Sequence, residues 1–591
     1  MRHAGLFFAA LFTLLAPLAG AAPLPSCTAG VPEFSPCQMT FEWHPGELPP
    51  QAAPVYRADI VSVEFRSPEH VTYLMHGFWN GGREIRVRFT PLESGTWTYH
   101  VRSTIHRLDN QESTFNVSES GAAGFVRVAN LRHWRSTNKQ PHLWLSAEVN
   151  FLGLGQSAFD AWLDARKQDG FNHVRGVLLT LGAAQKPLTA EGEPNLPYFA
   201  ALDDRILAAD KRGFTLDLVL ADRSFLRSGA FSTADRRDWL VRYLIARYGG
   251  LNVTWQGIEH FEDVPGSRAL LKDVGSLLKD YGGFDHPRST SARLTSSSLI
   301  HDGWMNYAIE AYPKPELGAV ERQFIHMPEI HVISATAPDA FRHELWDSTM
   351  NGEDPEVPYA ATENGANMRA VRIWVKVLSS TRYWELDPYF DVDGARALGL
   401  GDVEYLAYSD GPGIVEVTTP KHKYNPFWVN PITGEEIPLK NYKGEVLSRQ
   451  TPDGAHDWIL NVPRDGLMRS MLSRVYFESR DPTVQVIETD TTKIPFRIAS
   501  PSGKQIDPAI PIRFEAKIMH PKRSTRIMQY VWWGEAVASG VPARVLGVGP
   551  SGTFTVPKEF VTSGGDLEIR LLAINANGKV YEVDRVYGMA E

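Results

Sequence analysis

The stretch "RYGGLNVTWQGIEHFED", residues 247–263, decides the fold class. Two glycines end the helical pattern before it, and the apolar run that follows predicts a buried strand. That strand ends in a cluster of charge formed by Glu259, His260, Glu262 and Asp263. Parallel barrels carry their polar groups at the carboxyl ends of apolar strands, because their sites lie there. The stretch therefore predicts a barrel strand that delivers acids to a site.

The same rhythm repeats on both sides of this strand. The run "YFAALDDRILAADKRG" (198–213) has a helical period, and "FTLDLVLADR" (214–223) is an apolar strand with a charged end. Strand and helix alternate about eight times over roughly 240 residues, as in a (β/α)₈ barrel. No glycine-rich loop for a dinucleotide or a phosphate interrupts the pattern. We predict an α/β fold with a (β/α)₈ TIM barrel over residues 121–394, rather than an open doubly wound sheet.

Strand patterns flank the predicted barrel on both sides. The run "REIRVRFTPLESGTWTYHV" (83–101) alternates polar and apolar residues, which predicts an antiparallel β-sandwich over residues 22–120. Alternating runs return after the barrel and predict a barrel-associated sandwich over residues 395–480. A linker-like stretch at 480–495 then leads to a predicted immunoglobulin-like β domain over residues 490–591.

The N-terminus has the composition of an export signal. Arg2 and His3 precede an apolar run, and Ala19-Gly20-Ala21 supplies an A-x-A cleavage site. The run is too short to span a bilayer, so residues 1–21 are interpreted as a cleaved signal peptide. We predict a secreted or periplasmic protein, of bacterial type, with no membrane span.

Cys27 and Cys37 are the only cysteines in the chain. An exported protein meets an oxidising compartment, which favours a local disulfide between them. The rival interpretation takes "LPSC" (24–27) as a lipoprotein box with a lipidated Cys27. Pro25 fits such a box badly, so the disulfide is the preferred prediction.

The composition limits the classes of partner that the protein is expected to bind. The formal net charge of -9 argues against nucleic acid and against an anionic membrane. The 16 Trp, 20 Tyr and 28 Phe suit stacking on sugar rings. No histidine pair has metal-ligand spacing on one helix face, so no metal or cofactor is predicted. The expected partner is a polysaccharide or oligosaccharide, and the oligomeric state stays open.

Candidate site residues follow from the rule that barrel sites lie at the carboxyl ends of strands. Cleavage of a glycosidic bond needs one carboxylic acid for the leaving oxygen and one carboxylate as nucleophile or base. The predicted catalytic acids are Glu259, Glu262 and Glu363. The predicted substrate-binding residues are Glu148, Arg175, Asp222, His260, Arg288, Glu310 and Tyr312.

Three parts of the chain resemble known glycoside hydrolases. The stretch "FWNGGREIRVRFTPLESGTWTYHVRS" (78–103) resembles the sandwich that precedes the barrel in secreted bacterial members. "FLGLG" (151–155), "AWLDARKQDGFNHVR" (161–175) and residues 247–263 resemble the barrel of apiosidase-like glycoside hydrolases, a pectin-associated group. The stretch "STRYWELDPYFDVDGARALGLGDVEYLAYSDGPGIVEV" (380–417) resembles their closing sandwich. The resemblance covers about residues 39–470 and implies hydrolysis of a pectin-like or hemicellulosic polysaccharide.

The chain departs from the catalytic pattern that this resemblance implies. The acid/base glutamate is expected five residues after the tryptophan of strand 4, and that position holds His260, between Glu259 and Glu262. The nucleophile is expected at the end of strand 7, but "EIHVISATAPDAF" (329–341) has no acid at the carboxyl end of its strand: Glu329 opens the strand, and Asp339 stands at a helix start.

Several interpretations follow from this departure. In the first, Glu259 or Glu262 acts as the acid/base, with a nucleophile from Glu363, Glu310 or Glu148. In a second, hydrolysis proceeds by inversion, without strand 7. In a third, the barrel is inactive and binds glycan. A lyase that uses His260, Tyr312 and Arg175 is a further alternative.

Overall fold

The computed structural model describes residues 24–590, apart from residues 49–52, 313–315, 402, 467–493, 520–526, 538–540, 542, 564 and 576–578. The predicted signal peptide over residues 1–21 and most of the linker-like stretch at 480–495 lie outside the described residues. No helix within the described part of the chain is long and apolar enough to cross a membrane.

The central element is an eight-stranded parallel sheet that curls into a nearly closed barrel, as predicted. Each strand pairs with the next along the chain as far as the fifth, and the eighth pairs with the first. The gap between the fifth and sixth strands is bridged by the Asn306 N–H, which donates to the Arg288 carbonyl at 3.0 Å. In chain order the strands are β1 (Ser146–Glu148), β2 (His173–Leu179), β3 (Thr215–Ala221), β4 (Val253–Ile258), β5 (Arg288–Ser289), β6 (Ala308–Glu310), β7 (Glu329–Val332) and β8 (Asp354–Val357).

Helices surround the barrel between successive strands. The first helix ends at Gly170, whose φ of 100° is the left-handed conformation that glycine adopts without a steric cost. The barrel helices are α1 (Gln156–Asp169), α2 (Leu196–Lys211), α3 (Arg223–Arg227), α4 (Ala234–Tyr248), α5 (Ser267–Asp280), α6 (Glu316–Phe324), α7 (Pro338–Met350), α8 (Tyr359–Thr362) and α9 (Gly365–Ser379). Short 3₁₀ helices occupy Cys27–Ala29, Phe261–Asp263 and Ser297–Asp302.

The structure corrects the prediction for the last strand of the barrel. We expected "VPYAATENG" (357–365) to be strand 8. The strand instead spans Asp354–Val357, and helix α8 follows at once. Pro358 stands at this boundary, where its fixed φ suits the start of a helix. Helix α6 was not predicted.

A hairpin closes the amino end of the barrel. Its strands are Val126–Ala129 and His133–Ser136, and it places Trp134 against Trp144, with ring centroids 4.6 Å apart. The Trp134 indole donates to the Asp354 carboxylate at 2.9 Å. Both tryptophans are buried. Because this end is plugged, a site inside the barrel opens towards the carboxyl ends of the strands.

Two β-sheets precede the barrel. Cys27 and Cys37 form the predicted disulfide at their edge. The buried residues between the two sheets are aromatic and β-branched, which suits a sandwich core. In spatial order, one sheet contains Val31–Pro32, Glu112–Ser118, Gly95–Ser103, Val61–Arg66 and Thr72–His76, and the other contains Cys37–Glu42, Glu84–Phe89 and Phe78–Trp79.

Four further sheets follow the barrel. After helix α9 come a six-stranded sheet of Asp387–Tyr389, Arg396–Leu400, Glu404–Ser409, Trp458–Pro463, Phe427–Val429 and Glu436–Pro438, and a three-stranded sheet of Val392–Asp393, Ile414–Tyr424 and Tyr442–Gln450. The last part of the chain, here the C-terminal sheets, contains Phe496–Ser500, Ile512–Ile518 and Ser551–Phe554 in one sheet, and Gln505–Ile506, Val580–Met589, Leu567–Asn575, Ile527–Ala536 and Arg544–Val548 in the other. A short helix, α10, spans Lys558–Ser563.

A buried ion network attaches the N-terminal sheets to the barrel. Arg88 comes from a strand of these sheets, Asp203 from helix α2 and Arg247 from helix α4. Asp203 pairs with Arg88 and, at 2.9 Å, with Arg247. Burial alone would raise the pKa of Asp203, but the two guanidinium groups outweigh it and lower this pKa to about 2.

This network predicts a large loss of stability in Asp203→Ala. Two buried guanidinium groups would lose their carboxylate, which costs about 3–5 kcal/mol. The contribution of Asp203 is complete above its ordinary pKa and is lost as the pH falls towards 2, because its folded-state pKa is depressed. Calorimetric unfolding at neutral pH measures the effect.

The matched control is Asp235→Ala, which removes the partner of Arg57 from a side chain that is 74% exposed. We expect no measurable shift for this control. Equal shifts in the two variants would contradict the role of the buried network.

Candidate active site

One arginine organises the carboxyl end of the barrel. Arg175 lies on β2, with its side chain buried inside the barrel. Its Nη1 donates to Glu148 Oε1 at 3.1 Å, and its Nη2 donates to Glu259 Oε1 at 2.9 Å. Its Nε lies 3.1 Å from Glu356 Oε1. A single guanidinium therefore joins carboxylates from the ends of β1, β4 and β8.

Neighbouring polar groups fix the orientation of this guanidinium. Arg175 Nη2 also donates to Ser291 Oγ at 3.1 Å, and Nε donates to Gln256 Oε1 at 3.2 Å. Ser291 Oγ in turn donates to Gln256 Oε1 at 2.9 Å. Because Nε, Nη1 and Nη2 all donate to fixed partners, the guanidinium group of Arg175 has one preferred orientation.

A second polar layer lies below, towards the plugged end of the barrel. Asp217 on β3 accepts hydrogen bonds from Ser146 Oγ at 2.6 Å and Thr254 Oγ1 at 2.9 Å. The His173 Nδ1 lies 2.7 Å from Asp217 Oδ1. His173 and Arg175 share the inward face of β2 because strand side chains alternate. The barrel interior is therefore a hydrogen-bonded polar column beneath the acids.

The three carboxyl groups differ in exposure. The side chain of Glu148 is 39% exposed and that of Glu259 is 21% exposed, whereas that of Glu356 is 2% exposed. Glu148 and Glu259 thus face the open end of the barrel, and Glu356 lies beneath them. A ligand that enters the barrel mouth can touch the first two.

The electrostatics separate Glu259 from Glu356. Burial favours the neutral form of Glu259, but the charge of Arg175 and its hydrogen bond outweigh burial and hold the Glu259 pKa below its ordinary value. For Glu356, burial dominates over the attraction of Arg175, and the nearby Glu148, Asp217 and Glu259 add to it, so the pKa rises to about 8. At neutral pH, Glu259 is therefore ionised, whereas Glu356 is protonated in most molecules.

The structure brings four of the predicted residues together around β4: Glu148, Arg175, Glu259 and His260. His260 follows Glu259 in a left-handed conformation, with φ of 49°. Its N–H donates to the Ser291 carbonyl at 3.0 Å, which turns the chain sharply after the strand. The turn leaves Glu259 at the mouth of the barrel.

The other acids of the strand 4 cluster have structural partners. Glu262 is buried, and its Oε1 accepts from the Arg293 N–H at 3.1 Å and from Arg544 Nη1, in the C-terminal sheets, at 3.2 Å. Asp263 pairs with Arg223 at 3.0 Å and with Arg293. The prediction of Glu262 as a catalytic acid conflicts with this position, because its carboxylate is committed to the contact with the C-terminal sheets.

Asp222 and Arg288 also differ from their predicted roles. Asp222 follows β3 as predicted, but its carboxylate caps helix α3 by accepting from the Phe225 N–H at 2.9 Å and also from Ser224 and Thr180. Arg288 begins β5 rather than ending it. Its guanidinium donates to the carbonyls of Trp304 and His286 towards the amino end of the barrel.

Three further predicted residues lie away from Arg175. Glu363 is exposed in the turn between α8 and α9, because strand 8 ends earlier than expected. Glu310 points out of the barrel wall and pairs with His331 at 2.5 Å. Tyr312 packs in the apolar cluster between helix α6 and the C-terminal sheets. None of the three contacts Arg175 within the described residues.

Sequence reasoning missed Glu356. Its strand reads "DPEV", and a proline so early in the run made the segment resemble a loop. The signal that could have located the strand is Pro358, because the residue before a proline is held in an extended conformation, which favours a strand that ends there.

Comparisons with known proteins agree with the barrel. Residues 30–104 match a family described as a domain of unknown function, DUF5060. A candidate glycoside hydrolase from Bacteroides vulgatus superposes with a TM-score of 0.64 at 15% identity, over 74% of this chain and 99% of that one. No curated protein matches the chain.

Two further solved structures share the same fold at lower similarity. A protein described as a glycoside hydrolase superposes with a TM-score of 0.50 at 15% identity, over 58% of this chain and 97% of that one. A family 5 glycoside hydrolase from B. vulgatus also gives 0.50 at 15% identity, over 58% of this chain and 94% of that one. The chain therefore has the fold of glycoside hydrolases, and the apiosidase-like resemblance stays a prediction.

The raised pKa of Glu356 predicts a pH-dependent stability difference between the native chain and Glu356→Gln. An unfolded glutamate titrates near 4.3, whereas the folded group titrates at about 8. As the pH rises between these values, the unfolded state loses this proton and the folded state keeps it. The native chain should therefore lose stability relative to the variant, by up to about 1.4 kcal/mol per pH unit.

Urea unfolding from pH 5 to pH 8 measures this difference. The control is Glu363→Gln, which changes an exposed acid and should follow the native curve. Parallel curves for the native chain and Glu356→Gln would show that burial does not hold the Glu356 proton.

Proposed function

We propose that the chain is a glycoside hydrolase in which Glu259 and Glu148 act on the substrate at the mouth of the barrel. The observation that carries the proposal is the pair of partly exposed carboxylates, Glu148 and Glu259, that Arg175 joins. Nη1 of Arg175 holds one oxygen of Glu148, and Nη2 holds one oxygen of Glu259. The two carboxyl groups therefore lie no further apart than those of inverting glycosidases, which are separated by roughly 6.5–9.5 Å. The spacing thus allows either stereochemical course.

The electrostatics suggest which carboxyl takes which role. Arg175 keeps Glu259 ionised, which suits the group that attacks the anomeric carbon or removes a proton from water. Glu148 is the more exposed of the two acids, and like Glu259 it contacts Arg175 through one oxygen. We assign to Glu148 the remaining role, that of the acid at the leaving glycosidic oxygen, because it is the more exposed of the two groups.

Two exposed arginines at the rim support an acidic polysaccharide as the substrate. Arg223 and Arg293 are 58% and 56% exposed, and both pair with the same carboxylate, Asp263. Glu262 and Glu559 also lie near Arg293, so the rim carries no clear excess of positive charge. The two exposed guanidinium groups can nevertheless donate paired hydrogen bonds to a carboxylate, which a uronate-containing, pectin-like chain offers and a neutral hemicellulose does not.

The proposal predicts that Glu259→Gln and Glu148→Gln each lower kcat/KM by roughly 10²–10⁴-fold. Each change removes one carboxyl and keeps the shape of the side chain. Release of reducing ends from a panel of pectic and hemicellulosic polysaccharides measures the loss. A native circular dichroism spectrum at the assay temperature is the check on folding, because loss of an ion pair with Arg175 also lowers the Tm.

Glu262→Gln and Glu363→Gln are the matched controls from the same strand end and the same rim, and neither should lower the rate of cleavage directly. Turnover that survives in both Glu259→Gln and Glu148→Gln would remove this pair from the mechanism.

A second candidate function is glycan binding without hydrolysis. It is favoured by the pairing of both exposed acids, Glu148 and Glu259, with the guanidinium group of Arg175. This pairing favours the ionised form of each acid, which has no proton to donate. Isothermal titration with pectic oligosaccharides separates the two functions. Saturable binding by a native chain that releases no reducing ends would establish the second and exclude the first.

A further inference from the structure

A second group of buried acids lies outside the barrel wall, between β6, β7 and the helices α6 and α7. His331 on β7 is at its centre. Its Nδ1 lies 2.5 Å from Glu310 Oε2 and 3.9 Å from Glu353 Oε1, and its Nε2 lies 3.0 Å from Glu344 Oε1. His331 points outwards because its neighbour Ile330 packs inside the barrel with the plug tryptophans.

The group carries far more acid than base. Glu321 on helix α6 and Glu329 on β7 are also buried beside Glu310 and Glu353. Within the described ranges, no lysine or arginine reaches ion-pair distance of these four glutamates. Several buried carboxylates that share one imidazole are strongly unfavourable when all are ionised, so such a group must bind protons or a cation.

Glu353 is aimed into the group, and its nearest polar groups are His331 and Glu310. Its side chain is fully buried, and neither carboxylate oxygen accepts a hydrogen bond from an N–H or a hydroxyl group in the described part of the chain. Gly318 on helix α6 makes the space for it, because a Cβ at that position would collide with the Glu353 carboxyl. Glycine within a helix is less stable than alanine. The chain therefore gives up helix stability to admit the buried carboxyl group of Glu353.

The groups around His331 have the donor types and the proximity that a metal site requires, although Glu310 would have to give up its hydrogen bond to His331 to bind an ion. One oxygen of Glu310, one of Glu353 and one ring nitrogen of His331 all lie within 4.8 Å of one another. Nδ1 faces the two carboxylates, while Nε2 is held by Glu344. Glu344 is itself fixed by the Ser334 and Ala335 N–H groups at 2.8 Å. A carboxylate that holds the far nitrogen of an imidazole is the usual support behind a metal-binding histidine.

We propose that Glu310, His331 and Glu353 bind one divalent transition-metal ion of the Zn²⁺ or Mn²⁺ class. One imidazole nitrogen with two carboxylate oxygens suits these ions, whereas Ca²⁺ and Mg²⁺ prefer oxygen ligands alone. The complete burial of the ligands makes the site structural. The ion would tie β6, β7 and the segment before β8 to one another, directly under helix α6.

This position gives the ion a role in the assembly of the chain. Helix α6 contributes Leu317 and Val320 to an apolar cluster with Val531, Leu572 and other residues of the C-terminal sheets. The metal would fix the wall of the barrel beneath that contact. We expect its loss to lower the stability of the barrel and of the docked C-terminal sheets together.

Refolding of the full-length chain tests the proposal. The chain is unfolded in guanidinium chloride with EDTA, because a fully buried site does not exchange freely in the folded state. It is then refolded without metal, or with Zn²⁺, Mn²⁺, Ca²⁺ or Mg²⁺, and its metal content and Tm are measured. We expect about one Zn²⁺ or Mn²⁺ per chain, with a higher Tm than after refolding without metal or with Ca²⁺ or Mg²⁺.

Two variants assign the effect to this site. Glu353→Gln and His331→Gln should lose both the bound ion and the metal-dependent rise in Tm, and the exposed control Glu363→Gln should keep both. If the variants do not fold, refolding of the native chain alone decides. A native chain with the same Tm and no stoichiometric ion under every condition would overturn the proposal. That result would leave His331 as a protonated partner of Glu310 and Glu344.

Discussion

The arrangement of the barrel mouth depends on one buried guanidinium. Arg175 sits where strands from opposite sides of the barrel converge, and it pairs with acids of β1, β4 and β8. Removing these charges from water is unfavourable unless they pair, so the arginine and the acids require one another. The same contacts set the spacing of Glu148 and Glu259 and hold Glu259 ionised. The stability of the barrel mouth and its chemistry thus rest on the same contacts.

The flanking sheets are attached through buried charge as well as apolar surface. Arg88 reaches from the N-terminal sheets to Asp203 and Arg247, and Arg544 reaches from the C-terminal sheets to Glu262, three residues beyond Glu259. The second contact puts the C-terminal sheets at the rim of the candidate active site. An acid that sequence reasoning assigned to catalysis is therefore used for attachment.

Two groups of buried acids are balanced in different ways. Around Arg175, the guanidinium offsets part of the negative charge and Glu356 retains a proton. Around His331, a single imidazole faces several carboxylates, and burial raises the pKa of Glu310 to about 7. The first group opens to solvent through Glu148 and Glu259, whereas the second is sealed beneath helix α6. Access to ligand therefore separates a candidate active site from a candidate structural site.

Much of the fold was predictable because periodicity is local. The alternation of strand and helix identified the barrel, and the charged end of β4 located Glu259 and His260. The failures have identifiable causes. The proline in "DPEV" made β8 and Glu356 difficult to recognise. The sequence did not give the boundaries of the short strand β5, so Arg288 was assigned to the carboxyl end of that strand instead of its amino end. Glu310 was placed on the right strand and the wrong face.

The sequence by itself determined the class of fold, the local disulfide and the strand end that faces the site, because each depends on residues close together in the chain. Only the tertiary structure decided which acids converge. Glu148, Arg175, Glu259 and Glu356 come from four strands, and Glu310, His331 and Glu353 from three separate segments. The spacing of these residues along the chain does not show that they come into contact. These contacts arise from barrel closure and from the inward or outward face of each strand, which a shift of one residue reverses.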